Sequence, residues 1–400
     1  MRILFTALPA AGHIRPLVPI AHAAMLAGHD VMLCTPTSAK AQVEAYGLAH
    51  LPGGIDWLAT ELAALDRLAA PAGDEQVGRL EAIRQRFNKD LTTEGLAGPA
   101  PLALARDVLA AADFWRPDLV VRDNSEFGGY LAAEVLGVPH ASVAVGGGKA
   151  HELAAMLAAP LDEHRRSLGL PTDPAGARIH AHLHVSLAPP QYHELARTVP
   201  RTRYYRQTSP LEPTDRLPDW IADWLAVPAP GGRPAVFAAF GTLLPGFTAF
   251  REPLDASVEG LGEVDCAAVI ATGCCPVPSG TLPANVRLVD RVPQPLVLEC
   301  SDLFVTHGGF NSVREALRLG VPMVVVPWLV DTRRNAARCA ELGVAEVVPI
   351  DALSPARLRD ACATVLGDPS YRRQAGAIQR AMLALPGMDT LVADLCSLSR

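Results

Sequence analysis

The sequence predicts an α/β protein made of two doubly wound domains, each built on a parallel sheet. Three observations support this. A length of 400 residues exceeds what one ordinary core holds and suits two domains of roughly 200 residues each. Short apolar runs alternate with helical patterns along the whole chain. A proline-rich stretch lies between two halves of similar pattern, which is typical of a linker.

The first half contains four strand candidates, at 3–8, 30–35, 118–122 and 140–145. Helices are expected to begin near Pro16, Ser38 and Phe127. Pro16 suits the first turn of a helix because an N–H at that position would have no partner. The stretch 58–113 is rich in Ala, Leu and charged residues and has no clear strand pattern, which predicts helices inserted between sheet elements.

The second half repeats the alternation, with strand candidates at 235–240, 266–271, 286–290, 302–306 and 323–327. We therefore expect an N-terminal domain over 1–206, a linker over 207–234 and a C-terminal domain over 235–400. The last helix is a candidate to pack back on the N-terminal domain. The densest basic stretch, RTRYYR at 201–206, is interpreted as solvated linker rather than as a binding patch.

Composition excludes several classes of protein. Half of the residues are hydrophobic and 19% are charged, which excludes a disordered or fibrous chain. A net charge of −7 and a pI near 5.9 argue against nucleic-acid binding. The longest apolar run stops at Asp331, short of the roughly 20 residues of a membrane span. The scattered cysteines lack zinc-ligand spacing, so we expect a cytoplasmic protein with reduced thiols.

The most informative stretch is 305–338, in which a strand candidate ends in His307, Gly308 and Gly309 and a helix follows at once. Glycines at such a corner let the backbone approach a ligand closely. The unpaired N–H groups of the first helical turn, together with the helix dipole, favour an anion. The corner is therefore predicted to bind a diphosphate.

Polar side chains follow on the same helix. Asn311 and Ser312 add donors at its start, and Glu315 lies one turn after Asn311 on a similar face. A carboxylate would be poor for phosphate but suited to accept hydrogen bonds from ribose hydroxyls. The pattern predicts a nucleotide site.

This stretch resembles the nucleotide-sugar signature of family 1 glycosyltransferases, which have the two-Rossmann architecture called GT-B. The pattern H-G-G-x-N-[ST]-x-x-E-A-L-x-x-G-V-P, followed by a Pro, an Asp and an Asn-Ala pair, is matched nearly throughout. AAGHIRPLVPIA and GHDV near the start, RPDLVV, FGT at 240–242 and VPQ at 292–294 fit as well. The resemblance spans the whole chain. It is nearest to the actinomycete-type enzymes that decorate antibiotics and other natural products, and it implies two Rossmann-like domains facing a cleft.

The resemblance implies a donor site formed by Thr242, Val292, Gln294, His307, Gly308, Gly309, Asn311, Ser312, Glu315, Asp331 and Thr332. In that family His307 and Ser312 would contact the diphosphate, and Asn311 the phosphate or the sugar. Glu315 would hold the ribose, Thr242 would lie near the diphosphate, and Val292 and Gln294 would lie at the base.

Two departures from the family pattern bear on the donor. Arg291 replaces the aromatic residue that plant members stack on the base, so the base stays open between those of dTDP and UDP. Asp331-Thr332 replaces the Asp-Gln pair with which plant members contact sugar hydroxyls. Because Thr is shorter than Gln, this weakens any assumption of glucose and is compatible with a deoxysugar.

The first half supplies a candidate catalytic pair. His13 follows a strand and a Pro-Ala-Ala-Gly turn, and an imidazole titrates near the working pH of a general base. Asp123 ends a strand at the same edge of the predicted sheet, where a carboxylate can fix the tautomer of the ring. In the resembling family these two positions hold the catalytic general base and the carboxylate that is its partner. The alternatives are a capping or packing role for His13 and a strand-end cap for Asp123.

These observations predict an inverting transferase that moves a sugar from dTDP- or UDP-sugar to a hydroxyl of a small molecule, without metal or cofactor. The alternatives are a nucleotide-sugar epimerase on the same fold and a non-catalytic accessory protein that binds a nucleotide sugar. A nicotinamide dehydrogenase is disfavoured because LPAAGHIRP is not G-x-G-x-x-G. No nucleic acid or membrane partner is expected, and a homodimer is left open.

Overall fold

The structure is a computed structural model. It describes residues 1–69, 85–87, 89–146, 150–193, 199–209, 211–212, 214–226, 232–242, 251–273, 275, 281–328 and 331–399. Parts of two predicted segments, 70–84 and 88 of the helical insertion and 210, 213 and 227–231 of the linker, lie outside these ranges. Within them, no helix is both long and apolar enough to cross a membrane.

The chain divides into two compact units. The first comprises Met1–Ala63, Arg86–Glu212 and Ala384–Arg400, and the second comprises Ala64–Gln85 and Pro213–Leu383. The C-terminal helix therefore belongs to the first unit. The residues that follow Pro213, which the sequence assigned to a linker, belong to the second.

The first unit is a seven-stranded parallel sheet in the order β3-β2-β1-β4-β5-β6-β7. The strands are β1 (Arg2–Thr6), β2 (Asp30–Thr35), β3 (Ala49–Pro52), β4 (Leu119–Asp123), β5 (His140–Val143), β6 (Leu183–Ser186) and β7 (Thr202–Tyr204). The helices are α1 (Ala11–Ile14), α2 (Val18–Leu26), α3 (Lys40–Ala45), α4 (Trp57–Ala69), α5 (Pro99–Ala111), α6 (Gly128–Leu136), α7 (Ala150–Ser167) and, at the C-terminus, α15 (Met388–Ser397).

The core of this unit lies on one face of the sheet. Phe5, Val121 and Val143 point to that face from neighbouring strands and meet Ile20 of α2 and Leu391 of α15, all fully buried. Because successive side chains of a strand point to opposite faces, Thr6 faces the other way, toward the start of α6. Helices on both faces make the sheet doubly wound.

The second unit is a six-stranded parallel sheet in the order β10-β9-β8-β11-β12-β13. The strands are β8 (Ala235–Ala239), β9 (Ala267–Ala271), β10 (Val286–Val289), β11 (Leu303–Thr306), β12 (Met323–Val325) and β13 (Ala345–Val347). The helices are α8 (Asp219–Ala226), α9 (Arg251–Gly262), α10 (Gln294–Glu299), α11 (Phe310–Leu319), α12 (Thr332–Glu341), α13 (Pro355–Gly367) and α14 (Pro369–Leu383). Phe237 and Phe304 stack across β8 and β11 with ring centroids 5.4 Å apart.

The predicted fold class is confirmed, and a strand forms at every predicted strand position, within one or two residues at most ends. The interpretation of 201–206 as solvated linker was wrong. Residues Thr202–Tyr204 form the edge strand β7, and the Tyr205 hydroxyl donates to Asp394 at 2.6 Å. Arg203 pairs with the same carboxylate at 2.8 Å.

Candidate active site

The candidate base and its carboxylate lie where β1 and β4 end. The two strands are parallel neighbours with Thr6 opposite Arg122, so Asp123 comes next to the turn that follows β1. That turn leads into the one-turn helix α1, which carries His13. The sheet topology thereby brings together two residues that are 110 positions apart in the sequence.

His13 and Asp123 form a hydrogen-bonded pair, with Nδ1 of the ring 3.1 Å from Oδ2 of the carboxylate. The Asp123 side chain is 0% exposed, whereas the His13 side chain is 27% exposed. The backbone N–H groups of Leu8 and Ser125 also donate to this carboxylate, at 2.9 and 2.5 Å. Asp123 is therefore fixed, and a ring that donates from Nδ1 carries its basic lone pair on Nε2.

A second buried carboxylate anchors the loop behind this pair. Glu126 accepts the Thr6 hydroxyl at 2.5 Å and the Gly129 N–H at 2.9 Å, and it also accepts the Gly128 N–H. Burial raises the pKa of Glu126 to about 7, while the Thr6 hydroxyl and the backbone donor favour the charged form. These bonds tie the start of α6 to the end of β1, and with them the loop that begins at Asp123.

Arg122, which flanks the pair in the sequence, does not face a ligand. It is fully buried, and its guanidinium donates to the backbone carbonyls of Asp123, Glu126 and Ile179. Its role is structural, because it satisfies carbonyl groups that would otherwise be buried without partners.

The histidines of β5 and β6 are structural. The Ser142 hydroxyl lies 2.9 Å from Nδ1 of His180 and 2.8 Å from Nδ1 of His184. Burial lowers the pKa of His184 to about 3, and burial also lowers the pKa of His140. The His140 ring packs edge-on against Tyr130 and His182, which agrees with a structural role.

In the second unit, the predicted diphosphate corner lies where β8 and β11 end side by side. Gly241 follows β8 and His307 follows β11, and the strands are in register with Ala239 opposite Thr306. A Cβ at Gly241 would lie 2.7 Å from the His307 ring, and a Cβ at Gly309 would lie 2.4 Å from it. Both glycines are thus required by the position of the imidazole, a role the sequence did not reveal for Gly241.

His307 is held in an environment that disfavours its charged form. Desolvation lowers its pKa to about 4. Among the described residues, none provides a hydrogen-bond partner for its buried Nδ1. Gly308 makes the adjoining turn at φ +80°, and a Cβ there would lie 2.6 Å from Val325. The corner therefore combines a turn made by glycine with an imidazole whose charged form would be stabilised by a bound anion.

This environment predicts pH-dependent anion binding. An anion beside His307 would raise its pKa from about 4 toward the ordinary 6.5, so the complex would hold more protons than the free protein between those values. Affinity for pyrophosphate should then rise as the pH falls. If the pKa in the complex reaches 6.5, the affinity at pH 5 should exceed the affinity at high pH by about 30-fold, whereas the affinity at pH 7.5 should be almost the same as at high pH.

Calorimetry in buffers of different ionisation enthalpy measures the proton uptake directly. The His307→Gln variant is the control, because pyrophosphate itself titrates equally in both proteins. Equal pH profiles for the two proteins would rule out an anion at His307.

Helix α11 starts directly after this corner, and Gly309 at its N-cap makes no side-chain capping bond. The N–H groups of its first turn thus remain available for a ligand. Asn311 accepts a hydrogen bond from Arg314 at 2.6 Å, which turns the amide oxygen toward the helix. Arg314 is itself buried, with its guanidinium 5.1 Å from the centroid of the Phe310 ring.

The predicted ribose and base residues contact one another. The Gln294 amide donates to Glu315 at 2.6 Å and lies 3.4 Å from the Ser312 hydroxyl. Glu315 is 1% exposed and Ser312 is 7% exposed. Gln294 begins α10, so this contact joins the loop after β10 to the first turns of α11.

A buried asparagine, present in the sequence as part of the Asn-Ala motif, contacts the sugar-binding candidate Asp331. Asn335 is fully buried and donates to the Gly308 carbonyl at 2.9 Å and to Asp331 at 3.1 Å. Asp331 is thereby linked to the glycine turn. Thr332 is 4% exposed, and its hydroxyl accepts the Trp328 N–H at 3.0 Å.

The other two predicted donor-site residues lie in loops. Thr242 is exposed after β8, and Val292 is half-buried in the loop that precedes α10. Among the described residues, no three His, Cys, Asp or Glu side chains come together in an arrangement that could hold a metal ion.

Comparisons with known proteins agree with this architecture. The N-terminal domain described as erythromycin biosynthesis protein CIII-like matches residues 22–242, and the corresponding C-terminal domain matches 256–398. The L-demethylnoviosyl transferase of Streptomyces niveus is 31% identical, over 93% of this chain and 91% of that protein. The aclacinomycin-T 2-deoxy-L-fucose transferase of Streptomyces galilaeus is 27% identical, over 98% and 94%.

Among solved structures, the glycosyltransferase VinC in complex with dTDP superposes with a TM-score of 0.76 at 27% identity, covering 100% of this chain and 99% of that one. Fold and comparisons together define a glycosyltransferase of the GT-B class. Within that class, the chain belongs to the erythromycin biosynthesis protein CIII-like family of natural-product glycosyltransferases. This favours sugar transfer over the epimerase and accessory-protein alternatives.

Proposed function

We propose that the enzyme transfers a deoxysugar from a dTDP-sugar to a hydroxyl group of a small-molecule natural product, with inversion at the anomeric carbon. The observation that carries the mechanism is the His13–Asp123 pair at 3.1 Å. The donor class is supported by the relative from Streptomyces galilaeus, which is a 2-deoxy-L-fucose transferase, and by the dTDP bound to VinC.

At the acceptor, His13 acts as the general base. Nε2 takes the proton of the acceptor hydroxyl as its oxygen attacks C1 of the donor sugar. Asp123 holds Nδ1–H and stabilises the imidazolium that forms, as a carboxylate does in a catalytic triad. Its burial and its two backbone donors keep the carboxylate in one orientation.

At the donor, the leaving diphosphate is stabilised by the corner after β11. His307, the Gly308–Gly309 turn and the first-turn N–H groups of α11 supply hydrogen-bond donors that are already in place before the reaction. The leaving group departs from the face opposite to the attacking oxygen, so the configuration inverts. In this proposal the backbone and His307 take the role that a divalent metal has in other transferases.

The sugar is held beside Asp331, whose carboxylate is fixed by Asn335. The Thr332 hydroxyl is buried and accepts a backbone N–H, so it lies away from the surface on which a sugar would rest. A site with one carboxylate and a short neighbour has few partners for hydroxyl groups, and this supports a donor sugar that lacks some of its hydroxyl groups.

The free thiols of the described cysteines support a reducing, cytoplasmic setting.

A matrix of nucleotide sugars against candidate aglycones, read by mass spectrometry, tests the function. The expected result is a mass gain of one deoxysugar that depends on both substrates, with the opposite anomeric configuration by NMR. Conversion of the nucleotide sugar without an acceptor would instead indicate an epimerase. Retention of configuration would refute the displacement mechanism.

Glu315→Gln tests the ribose assignment. The substitution keeps the size of the side chain but replaces a charged acceptor of ribose hydrogen bonds by a neutral one. We expect a rise in the donor KM of about 10-fold, in line with the 1.5–3 kcal/mol of hydrogen bonds to charged groups, with little change in kcat. Initial rates at saturating acceptor measure this, and an unchanged KM would contradict the assignment.

A further inference from the structure

Among the described residues predicted to lie at the nucleobase, none has an aromatic face on which the base could stack. The position beside the base loop at which plant members carry an aromatic residue is Arg291 here, and it is exposed. Val292 and Gln294 offer a branched aliphatic side chain and an amide that is already bonded to Glu315. A nucleobase commonly gains affinity by stacking on an aromatic side chain, and none of these three residues supplies one.

A surface cleft of about 440 Å³ lies next to this loop within the second unit. It is lined by Pro293, the residue before Gln294, and by the segment that leads into α8, which contributes Arg216, Asp219 and Trp220. Its volume is within the range of small-molecule sites. Pro293 is adjacent in sequence to Gln294, whose amide donates to Glu315.

Trp220 differs from its neighbour on the same helix. Trp220 is 42% exposed and lines the cleft. Trp224, by contrast, lies under the Arg287 guanidinium at 3.8 Å from the ring centroid, and its indole N–H donates to the Ala268 carbonyl at 3.2 Å. Burial and hydrogen bonding account for Trp224 as a packing residue. They do not account for an indole that is left open to solvent one turn earlier.

We propose that the cleft binds the nucleobase of the donor and that Trp220 supplies the aromatic surface on which the base stacks. This rests on the proposed function as a nucleotide-sugar transferase. Arg216 gives the cleft a cationic donor, and Asp215 and Asp219 each give it an anionic acceptor, so a donor–acceptor pair is available. Thymine and uracil present a ring N–H between two carbonyl oxygens, which is an edge that such a pair can match. The occupant is therefore a pyrimidine of this type.

Binding to the purified full-length enzyme tests the proposal with two ligands, dTDP and inorganic pyrophosphate. Trp220→Ala is expected to weaken dTDP by about 5- to 150-fold, the range for losing one base–aromatic stack. Pyrophosphate, which has no base, should bind as before. Trp220→Phe should recover most of the dTDP affinity, and Asp223→Ala, an exposed change on the same helix, should bind both ligands like the wild type.

Fluorescence gives an independent signal, because stacking should quench the Trp220 emission when dTDP is added and the quench should be absent in Trp220→Phe. Wild-type dTDP affinity in Trp220→Ala would overturn the proposal while leaving the transferase function intact. An equal loss of dTDP and pyrophosphate binding would also overturn it, because that pattern indicates a structural role. A wild-type enzyme that binds neither dTDP nor UDP would instead refute the proposed donor class.

Discussion

His13→Ala should lower kcat by about 10²–10⁴-fold, the range for the loss of a general base, while the affinity for dTDP stays within about twofold of the wild type. The reason is that the proposed base acts on the acceptor proton in the transition state and has no role in holding the nucleotide. Steady-state rates with a productive donor and acceptor, together with dTDP titration, measure both quantities. Added imidazole should restore part of the rate.

A double-mutant cycle with Asp123→Asn makes the test specific. Asp123 acts through the ring, so once His13 is absent its replacement should cost little more in kcat. Because Asp123 is buried and receives two backbone N–H groups, thermal unfolding must show that the variant folds. Additive losses would mean that the two residues act separately. A His13→Ala enzyme with the full transfer rate would remove the proposed base altogether.

Sequence patterns were sufficient to predict the two-domain architecture and the loop in which each candidate site residue lies, because both depend on local rules. Apolar runs of five or six residues revealed the central strands. The strands they missed are short, lie toward the outside of the sheets and have weak patterns. Ala49–Pro52 is at least partly exposed along its length, and Ala345–Val347 has three residues. Helix α8 was missed because the surrounding prolines dominated the pattern, although DWIADWLA has apolar residues at helical spacing.

The pairing of His13 with Asp123 was predictable because His13 follows one strand, Asp123 ends another, and parallel strands end at a common edge. The site was not predictable where function depends on which strands are neighbours. Gly241 is needed because β8 lies next to β11, and its partner His307 is 66 residues away in the sequence. The contacts of Asn335 and Glu126 likewise appear only once the chain has folded.

Gly309→Ala should reduce affinity for the nucleoside diphosphate as much as His307→Ala does, by about 10- to 150-fold, as expected for losing a hydrogen bond to a charged group at 1.5–3 kcal/mol. The backbone of Gly309, at φ −59° and ψ 140°, is ordinary for alanine. Its effect would therefore come from the new Cβ, which would lie 2.4 Å from Nε2 of His307. The imidazole would have to leave its place.

The combination of both changes separates this cause from a general disturbance of the turn. If the methyl group acts only by displacing the ring, then Gly309→Ala should add nothing in a protein that already carries His307→Ala. Gly308→Ala is the contrasting variant, because its φ of +80° strains any side chain and its loss should persist without the imidazole. Isothermal titration with dTDP gives the affinities of the wild type, the three single variants and the two double variants. Additive losses for Gly309→Ala and His307→Ala would show that the methyl group does not act by displacing the imidazole.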